Sequence, residues 1–140
     1  MKIAVDFDGT IVEHRYPEIG EELLFAFDTL KALERQGHQL ILWTFRAGKE
    51  LDEAVEFCRS KGLEFYAVNA SYPEEVYEES VSRKIDADVF IDDRNVGGFL
   101  GWSEIWQILN PDKQDSPTFE YDSLVKTNKS VGNRIKSLFK

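Results

Sequence analysis

Short runs of consecutive apolar residues constrain the fold of this chain more than any other feature of its sequence. Lys2–Val5 and Leu40–Trp43 are the two clearest runs, and Leu63–Val68 and Val89–Ile91 are weaker runs of the same kind. Consecutive rather than alternating apolar residues are typical of strands that are buried on both faces, as parallel strands of α/β proteins are. The pattern therefore predicts a parallel sheet enclosed by other elements.

Helical patterns separate these runs. Apolar residues from Leu23 to Leu33 form one stripe of a helix that we expect to end at Gly37. A second stripe runs from Leu51 to Cys58, and Trp102–Leu109 predicts a last helix. Alternating strands and helices predict right-handed crossovers and a doubly wound (Rossmann-like) parallel sheet flanked by helices. In such sheets, ligands bind beyond the carboxyl ends of the strands.

The charge is distributed unevenly, and it suggests how the chain is organised. We expect residues 1–109 to form one α/β domain and residues 110–140 to form a linker and a basic extension. The chain has a net charge of −9, but residues 1–122 carry 26 acidic and 12 basic residues, a net charge of −14. Such a body repels nucleic acid, which is an unlikely partner except at an open site. The last part of the extension, residues 123–140, carries five basic residues and no acid, which suggests contact with an acidic body, its own or that of a second subunit in a homo-oligomer.

The cysteine content and the hydropathy pattern indicate the cellular compartment. The single cysteine, Cys58, excludes an intrachain disulfide and a multi-cysteine zinc site. No apolar run approaches the roughly 18 residues of a membrane-spanning helix, and no signal peptide pattern precedes the first strand. We therefore expect a cytoplasmic protein with no membrane partner.

Two pairs of carboxylates follow predicted strands. Asp6 and Asp8 come directly after the first strand, with Gly9 to turn the chain, and Asp92 and Asp93 follow Val89–Ile91. Adjacent like charges raise each other's pKa unless a cation neutralises them. Four carboxylates from two strand ends form a hard oxygen site that suits Mg²⁺. Taken alone, each pair is also compatible with an ordinary acidic turn.

Thr44 and Lys84 are further candidates for a phosphate site. The Thr44 hydroxyl ends the strand Leu40–Trp43 and can donate to a phosphate oxygen, and Lys84 precedes the second acidic pair. Each residue by itself is more often structural or solvated. Their order along the chain, together with the acidic pairs, carries more information than either one.

In that order of motifs, the sequence resembles the haloacid dehalogenase-like (HAD) hydrolase superfamily. The resemblance covers about residues 1–109. It rests on four motifs. The first is an Asp-x-Asp-x-Thr motif at Asp6, Asp8 and Thr10, and the second is a threonine at the next strand end, Thr44. The third is an upstream lysine, Lys84, with Arg83 as a competitor, and the fourth is a final pair of acids, Asp92 and Asp93.

The resemblance implies a Mg²⁺-dependent phosphatase that hydrolyses a phosphate monoester. Asp6 would be the nucleophile that forms an aspartyl-phosphate, and Asp8 the general acid and then the general base. Thr44 and Lys84 would hold the phosphoryl oxygens in the transition state.

The resemblance also implies the ligands of the metal ion. Asp6, Asp92 and the main-chain carbonyl of Asp8 would hold Mg²⁺, with Asp93 a water-mediated ligand.

The spacing of the motifs leaves no room for the cap domain that the family usually places over its site. About 33 residues separate Thr10 from Thr44, and the predicted first helix takes roughly half of them. An open site suggests a large substrate or a lid from a partner subunit, and Glu13–Gly20 is the best candidate for a small flap. The remaining candidates for contact with the phosphorylated substrate, whether a small molecule or a macromolecule, are Thr10, Arg46, Arg94 and His14.

Three other functions share these residues. A receiver-like signalling domain also accepts phosphate on an aspartate, although its acceptor lies on a middle strand and its lysine follows the threonine. A non-catalytic Mg²⁺-binding scaffold would keep the acidic pairs without turnover. A mutase would use the same Asp6 and Asp8, but it must shelter its phosphoenzyme from water.

Overall fold

The computed structural model describes residues 1–113, so most of the predicted basic extension lies outside the described residues. The described part contains four strands and three helices. In chain order they are β1 (Lys2–Val5), α1 (Ala26–Arg35), β2 (Gln39–Leu42), α2 (Gly48–Ser60), β3 (Ala67–Val68), β4 (Val89–Ile91) and α3 (Trp102–Leu109).

The four strands form one parallel sheet in the order β3-β2-β1-β4. Ile3 of β1 is paired with Leu40 of β2 on one side and with Val89 of β4 on the other. The predicted α/β fold with a doubly wound parallel sheet is therefore confirmed. Within the described residues, no helix has both the length and the apolar character needed to cross a membrane.

The core lies on both faces of the sheet. The larger cluster joins alternate residues of β1 and β2 to the buried sides of all three helices, including Leu30, Cys58 and Trp106. The smaller cluster lies on the other face, where Ile85 packs with Ala4 of β1. Ile85 belongs to the connection from β3 to β4, which contains no helix. A loop segment therefore covers part of the second face.

Element boundaries differ from the predictions where hydrogen bonds to other segments prevail over the apolar pattern. The stripe that begins at Leu23 predicts a longer first helix, but the Leu23 N–H donates to the Ile11 carbonyl, and Phe25 has a left-handed φ of 65°. The helix therefore begins at Ala26. Only Ala67–Val68 of the run from residue 63 to 68 is a strand.

Candidate functional site

The carboxyl ends of β1 and β4 bring three of the predicted metal ligands together. β1 and β4 are adjacent, and the Asp6 N–H donates to the Ile91 carbonyl over 2.9 Å. One carboxylate oxygen from each of Asp6, Asp92 and Asp93 lies within 4.8 Å of the others. The Asp92 carboxylate is oriented by the Arg94 N–H, which donates to its Oδ1 over 2.8 Å.

Gly9 allows the chain to turn closely over this acidic cluster. Its φ is +83°, a conformation that residues with a side chain rarely adopt. A Cβ at this position would collide with the Asp93 carboxylate. The N–H groups of Thr10 and Ile11 both donate to the Phe7 carbonyl and close the turn. A side chain at position 9 is therefore incompatible with the observed place of Asp93.

The electrostatics of Asp6 disfavour its charged form in the absence of a cation. The pKa of Asp6 is raised from its ordinary value of 3.8 to about 7, mainly by burial and also by the neighbouring Asp92 and Asp93, against the lowering effect of the Thr10 hydroxyl. Like charges at short range and partial desolvation both disfavour the carboxylate form. A divalent cation among these oxygens would remove that penalty.

The chemical type of the ligand atoms in this cluster fits Mg²⁺. All three side chains offer carboxylate oxygens, the hard ligands that Mg²⁺ prefers, and few protein ligands leave room for the waters that the ion retains. The Asp8 side chain does not belong to this cluster. The resemblance assigned a main-chain carbonyl to Asp8, and that assignment needs no carboxylate there.

Thr10 supports Asp6 from inside the protein. Its side chain is fully buried, and its hydroxyl donates to Asp6 Oδ2 over 2.9 Å. The Trp102 indole N–H donates to the Thr10 carbonyl over 2.8 Å and connects this turn to α3. The expectation that Thr10 contacts substrate is therefore wrong for the structure described, because the residue has no exposed surface.

Asp8 forms a buried ion pair with Arg46. The Arg46 Nε–H donates to Asp8 Oδ2 and an Arg46 Nη2–H donates to Asp8 Oδ1, each over 2.7 Å. The Arg46 side chain is 0% exposed and the Asp8 side chain 11%. This is the bidentate geometry of the strongest ion pairs. Both Asp8 oxygens therefore accept hydrogen bonds from Arg46.

Arg46 also anchors the loop that we predicted to be a flap. Its guanidinium donates to the carbonyls of Pro17 and Glu18 over 3.1 and 2.8 Å. It lies 5.1 Å from the centre of the Phe7 ring and 5.2 Å from that of Tyr16. The alternative of an ordinary surface salt bridge is therefore wrong, because the guanidinium is buried and bonded to Asp8 and the loop. Arg46 also lines the cavity, so its contact with substrate stays a prediction.

Asn69 fixes the loop that carries Thr44. The Thr44 N–H donates to Asn69 Oδ1 over 2.8 Å, and the Asn69 amide donates to the Arg46 carbonyl over 3.5 Å. Thr44 Oγ1 accepts from the Arg46 N–H over 3.2 Å. Thr44 lines the cavity as predicted, and Asn69 positions it from the end of β3.

Lys84 lies away from the candidate site in this structure. Its ammonium group is 5.7 Å from the centre of the Phe90 ring, its side chain is exposed, and it does not line the cavity above Asp6. Lys84 is therefore not among the residues that line this cavity, and its predicted contact with the phosphoryl group stays a prediction. The lysine lies in the helix-free connection that crosses the second face of the sheet, which the spacing of the motifs could not position.

A cavity of about 490 Å³ lies over the acidic cluster. Seven of the predicted site residues line it: Asp6, Asp8, His14, Thr44, Arg46, Asp92 and Arg94. Our sequence reasoning missed Phe45 as a lining residue, whereas Tyr16 belongs to the predicted flap Glu13–Gly20. The position of Phe45 between Thr44 and Arg46 was the available signal.

Comparison with known proteins gives one relative of this chain. A solved structure of a conserved protein coded by a locus from Bacteroides thetaiotaomicron is 57% identical in sequence, with a TM-score of 0.76. The match covers 85% of this chain and 97% of that one. This chain belongs to the same family. Searches of family models and of curated proteins gave no match.

Membership in this Bacteroides protein's family supports the fold through both sequence and structure. The description of that protein names no ligand or reaction. The function of this member of the family must therefore be argued from the chemistry of its own residues.

Proposed function

We propose that this protein is a Mg²⁺-dependent phosphatase of the HAD type that hydrolyses a phosphate monoester. The observation that carries the proposal is the convergence of Asp6, Asp92 and Asp93 at adjacent strand ends, beneath a cavity that Asp8 and Thr44 also line. These are the residues that the resemblance assigns to the nucleophile, the metal site, the general acid and the phosphate contact. A cytoplasmic location is part of the same proposal.

Asp6, Asp92 and the Asp8 carbonyl would hold the metal ion, with Asp93 contacting it through water. An Mg²⁺ ion bound there would neutralise negative charge on the phosphoryl group and orient the ester. Thr10 and Trp102 have a separate role, because their hydrogen bonds fix one Asp6 oxygen and leave the other for reaction. Orientation of this kind contributes to catalysis by placing the reacting atoms in advance.

The reaction has two steps. An Asp6 oxygen attacks phosphorus, the bond from phosphorus to the ester oxygen breaks, and Asp8 donates a proton to the leaving alkoxide. Asp8 then accepts a proton from water, which attacks the aspartyl-phosphate. The bond between phosphorus and Asp6 breaks, phosphate leaves, and both side chains return to their starting states.

The ion pair with Arg46 sets a condition on the first step. Asp8 must carry a proton to act as an acid, whereas its two oxygens accept from Arg46. At least one of these hydrogen bonds must therefore be exchanged for a proton before the ester bond breaks. Since Arg46 also bonds the carbonyls of Pro17 and Glu18, a change in its hydrogen bonds involves the flap.

The positive charge that faces the phosphate would come from residues other than Lys84. Arg94 and His14 line the cavity with exposed side chains, and no ion pair occupies the Arg94 guanidinium within residues 1–113. The Thr44 hydroxyl lies among them as a neutral donor. Together they can hold the phosphoryl oxygens as charge develops in the transition state.

Phosphate release from a panel of phosphate esters, with and without Mg²⁺, tests the proposal. We expect Mg²⁺-dependent release that Asp6→Asn abolishes. Asp8→Asn should strongly reduce it, and Asp52→Asn on the exposed face of α2 should leave it unchanged. Release that persists in Asp6→Asn would contradict the assignment of the nucleophile.

A non-catalytic Mg²⁺-binding scaffold is the second candidate, and two observations favour it. Lys84 lies outside the cavity, and Asp8 is held by Arg46. Calorimetric binding of Mg²⁺ without phosphate release from any ester would support this function over the phosphatase. A receiver-like domain would instead become phosphorylated once and release no phosphate in repeated cycles.

A further inference from the structure

Three aromatic side chains surround the mouth of the cavity above Asp6. Phe45, Tyr16 and Trp43 all line it. Phe45 is 92% exposed and Tyr16 46%, whereas Trp43 is half-buried against the second core cluster. A single exposed aromatic residue is ordinary on a protein surface. Three around one polar cavity form an apolar rim to a charged floor, which is the usual composition of a small-molecule site.

The backbone on either side of Phe45 is held in place, whereas its ring is exposed. Its neighbours on both sides are fixed, because Thr44 donates to Asn69 and the Arg46 carbonyl accepts from Asn69. Arg46 is itself buried in its ion pair with Asp8. The Phe45 backbone therefore has little freedom to lose when a ligand binds. A ring that is carried on a fixed backbone and remains open to solvent is accessible for contact with a flat partner.

Tyr16 is held by Arg46. The Arg46 guanidinium lies 5.2 Å from the centre of its ring and bonds the carbonyl of the next residue, Pro17. Almost half of Tyr16 nevertheless remains exposed. Arg46 thus connects the segment that carries Phe45 with the segment that carries Tyr16.

The size and charge of the cavity limit the ligand. About 490 Å³ lies within the range of ligand pockets and exceeds what a phosphate group alone requires. The exposed Arg94 supplies positive charge to the cavity in which a phosphate would approach Asp6, and the exposed His14 lines the same cavity. The net charge of −14 over residues 1–122 disfavours a polyanion such as a nucleic-acid strand.

We propose that the substrate is a small phosphate monoester whose leaving group carries a planar ring, of about nucleoside size, that stacks on Phe45. This inference rests on the proposed phosphatase function. The phosphate would occupy the floor with Asp6 and Thr44, and the ring would lie between Phe45 and Tyr16. Stacking on aromatic side chains accepts any flat ring, because every such ring has a π-face.

The first experiment compares adenosine 5′-monophosphate with ribose 5-phosphate, which share the phosphate and the sugar and differ in the ring. We expect kcat/KM to be about tenfold higher for the nucleotide, the size of a stacking contact. Phe45→Ala should remove that preference and leave ribose 5-phosphate unchanged, and Phe45→Tyr should retain it. Leu24→Ala, at a residue that is 77% exposed and does not line the cavity, is the matched control.

Phenyl phosphate in the same panel separates two sources of a planar ring. A higher kcat/KM for the nucleotide than for phenyl phosphate supports a nucleoside-sized leaving group. A preference for phenyl phosphate overturns that part of the proposal. Equal kcat/KM for the nucleotide and ribose 5-phosphate overturns the ring site altogether.

A binding experiment keeps this proposal separate from the phosphatase function. Trp102 and Trp106 are 1% and 2% exposed, so a ligand in the cavity can quench only Trp43 among the three tryptophans of the chain. Adenosine, which has no phosphate, should quench Trp43 fluorescence, and ribose should not. Phe45→Ala should weaken the adenosine affinity about tenfold.

The two readouts distinguish two failures. Quenching by adenosine that depends on Phe45, without phosphate release from any ester, supports the ring site and contradicts the phosphatase. Mg²⁺-dependent release with no effect of adenosine on fluorescence supports the phosphatase and overturns the ring site.

Discussion

Replacing Asp6 with asparagine should stabilise the metal-free protein at alkaline pH while it removes activity. Asp6 lies against Asp92 and Asp93, and its pKa is raised from 3.8 to about 7. Asparagine has no charge to repel those neighbours and can still accept the hydrogen bond from Thr10. A functional group that destabilises the folded protein gives a more stable variant when it is replaced.

The sign follows from proton binding in the two states. The unfolded chain loses the Asp6 proton near pH 3.8, whereas the folded protein retains it until about pH 7. Between these values the folded state binds more protons, so the free energy of unfolding falls as the pH rises. The stabilising contribution is present below pH 3.8, and it is lost completely once the pH exceeds the folded pKa.

The magnitude follows from the same two values. The rise in the pKa of Asp6 from 3.8 to about 7 corresponds to a contribution of about 4 kcal/mol at most to the free energy of unfolding. Because Asp6 is only partly buried, solvent screening reduces this to about 1–3 kcal/mol. We therefore expect the free energy of unfolding of Asp6→Asn to exceed that of the wild-type protein by about 1–3 kcal/mol at pH 8. Near pH 4 the two free energies should approach each other.

Urea unfolding in EDTA at pH 4, 6 and 8, followed by circular dichroism, measures this difference. Asp52→Asn, at an exposed site on α2, should show no such pH dependence. Mg²⁺ should raise the wild-type unfolding free energy at pH 8 and leave Asp6→Asn nearly unaffected. A wild-type protein that gains stability relative to Asp6→Asn between pH 4 and pH 8 would refute the reasoning.

Three further predictions follow from the site. Arg46→Met leaves the carboxylate partner of Arg46 without its cation, so thermal unfolding should show a loss of about 3–5 kcal/mol, while Arg59→Met at an exposed ion pair should show almost none. Gly9→Ala imposes a strained φ and displaces Asp93, so calorimetry should show weaker Mg²⁺ binding. Urea unfolding should show a loss of about 1–3 kcal/mol in the free energy of unfolding. Unchanged Mg²⁺ affinity would contradict the close approach of Gly9 to Asp93. Lys84→Ala should change kcat/KM for the best ester by less than about threefold, since one exposed contact outside the cavity contributes little. A hundredfold loss would mean that Lys84 reaches the phosphate during the reaction.

The sequence predicted those parts of the fold that local pattern determines. The bounds of β1, β4 and α3 agree with the predictions, because each coincides with an uninterrupted apolar run or stripe. The meeting of Asp6 with Asp92 was predictable as well, since the carboxyl ends of parallel strands share one edge of the sheet. The rule needs only the residue type and the end of each strand.

The remaining features depend on contacts between distant segments. Arg46 pairs with Asp8 across 38 positions, and nothing local to Arg46 distinguishes a buried guanidinium from a solvated one. Lys84 belongs to a connection without helical or strand pattern, so its place could not be predicted from the spacing of the motifs. The hydrogen bond from the Thr44 N–H to Asn69 joins the ends of β2 and β3, so it forms only when these strands pair.

The arrangement of charges explains why one carboxylate of the four stands apart. The sequence placed Asp6, Asp8, Asp92 and Asp93 in a single site, but the structure gives Asp8 a buried cation of its own. Three carboxylates then remain for a divalent cation, which would leave a local charge of about −1 rather than −2. A phosphate dianion would approach the smaller charge more readily, and the exposed Arg94 would reduce the repulsion further. The ion pair with Arg46 therefore lowers the negative charge of the site and holds the proposed general acid beside it, two requirements that four carboxylates around one ion would not meet together.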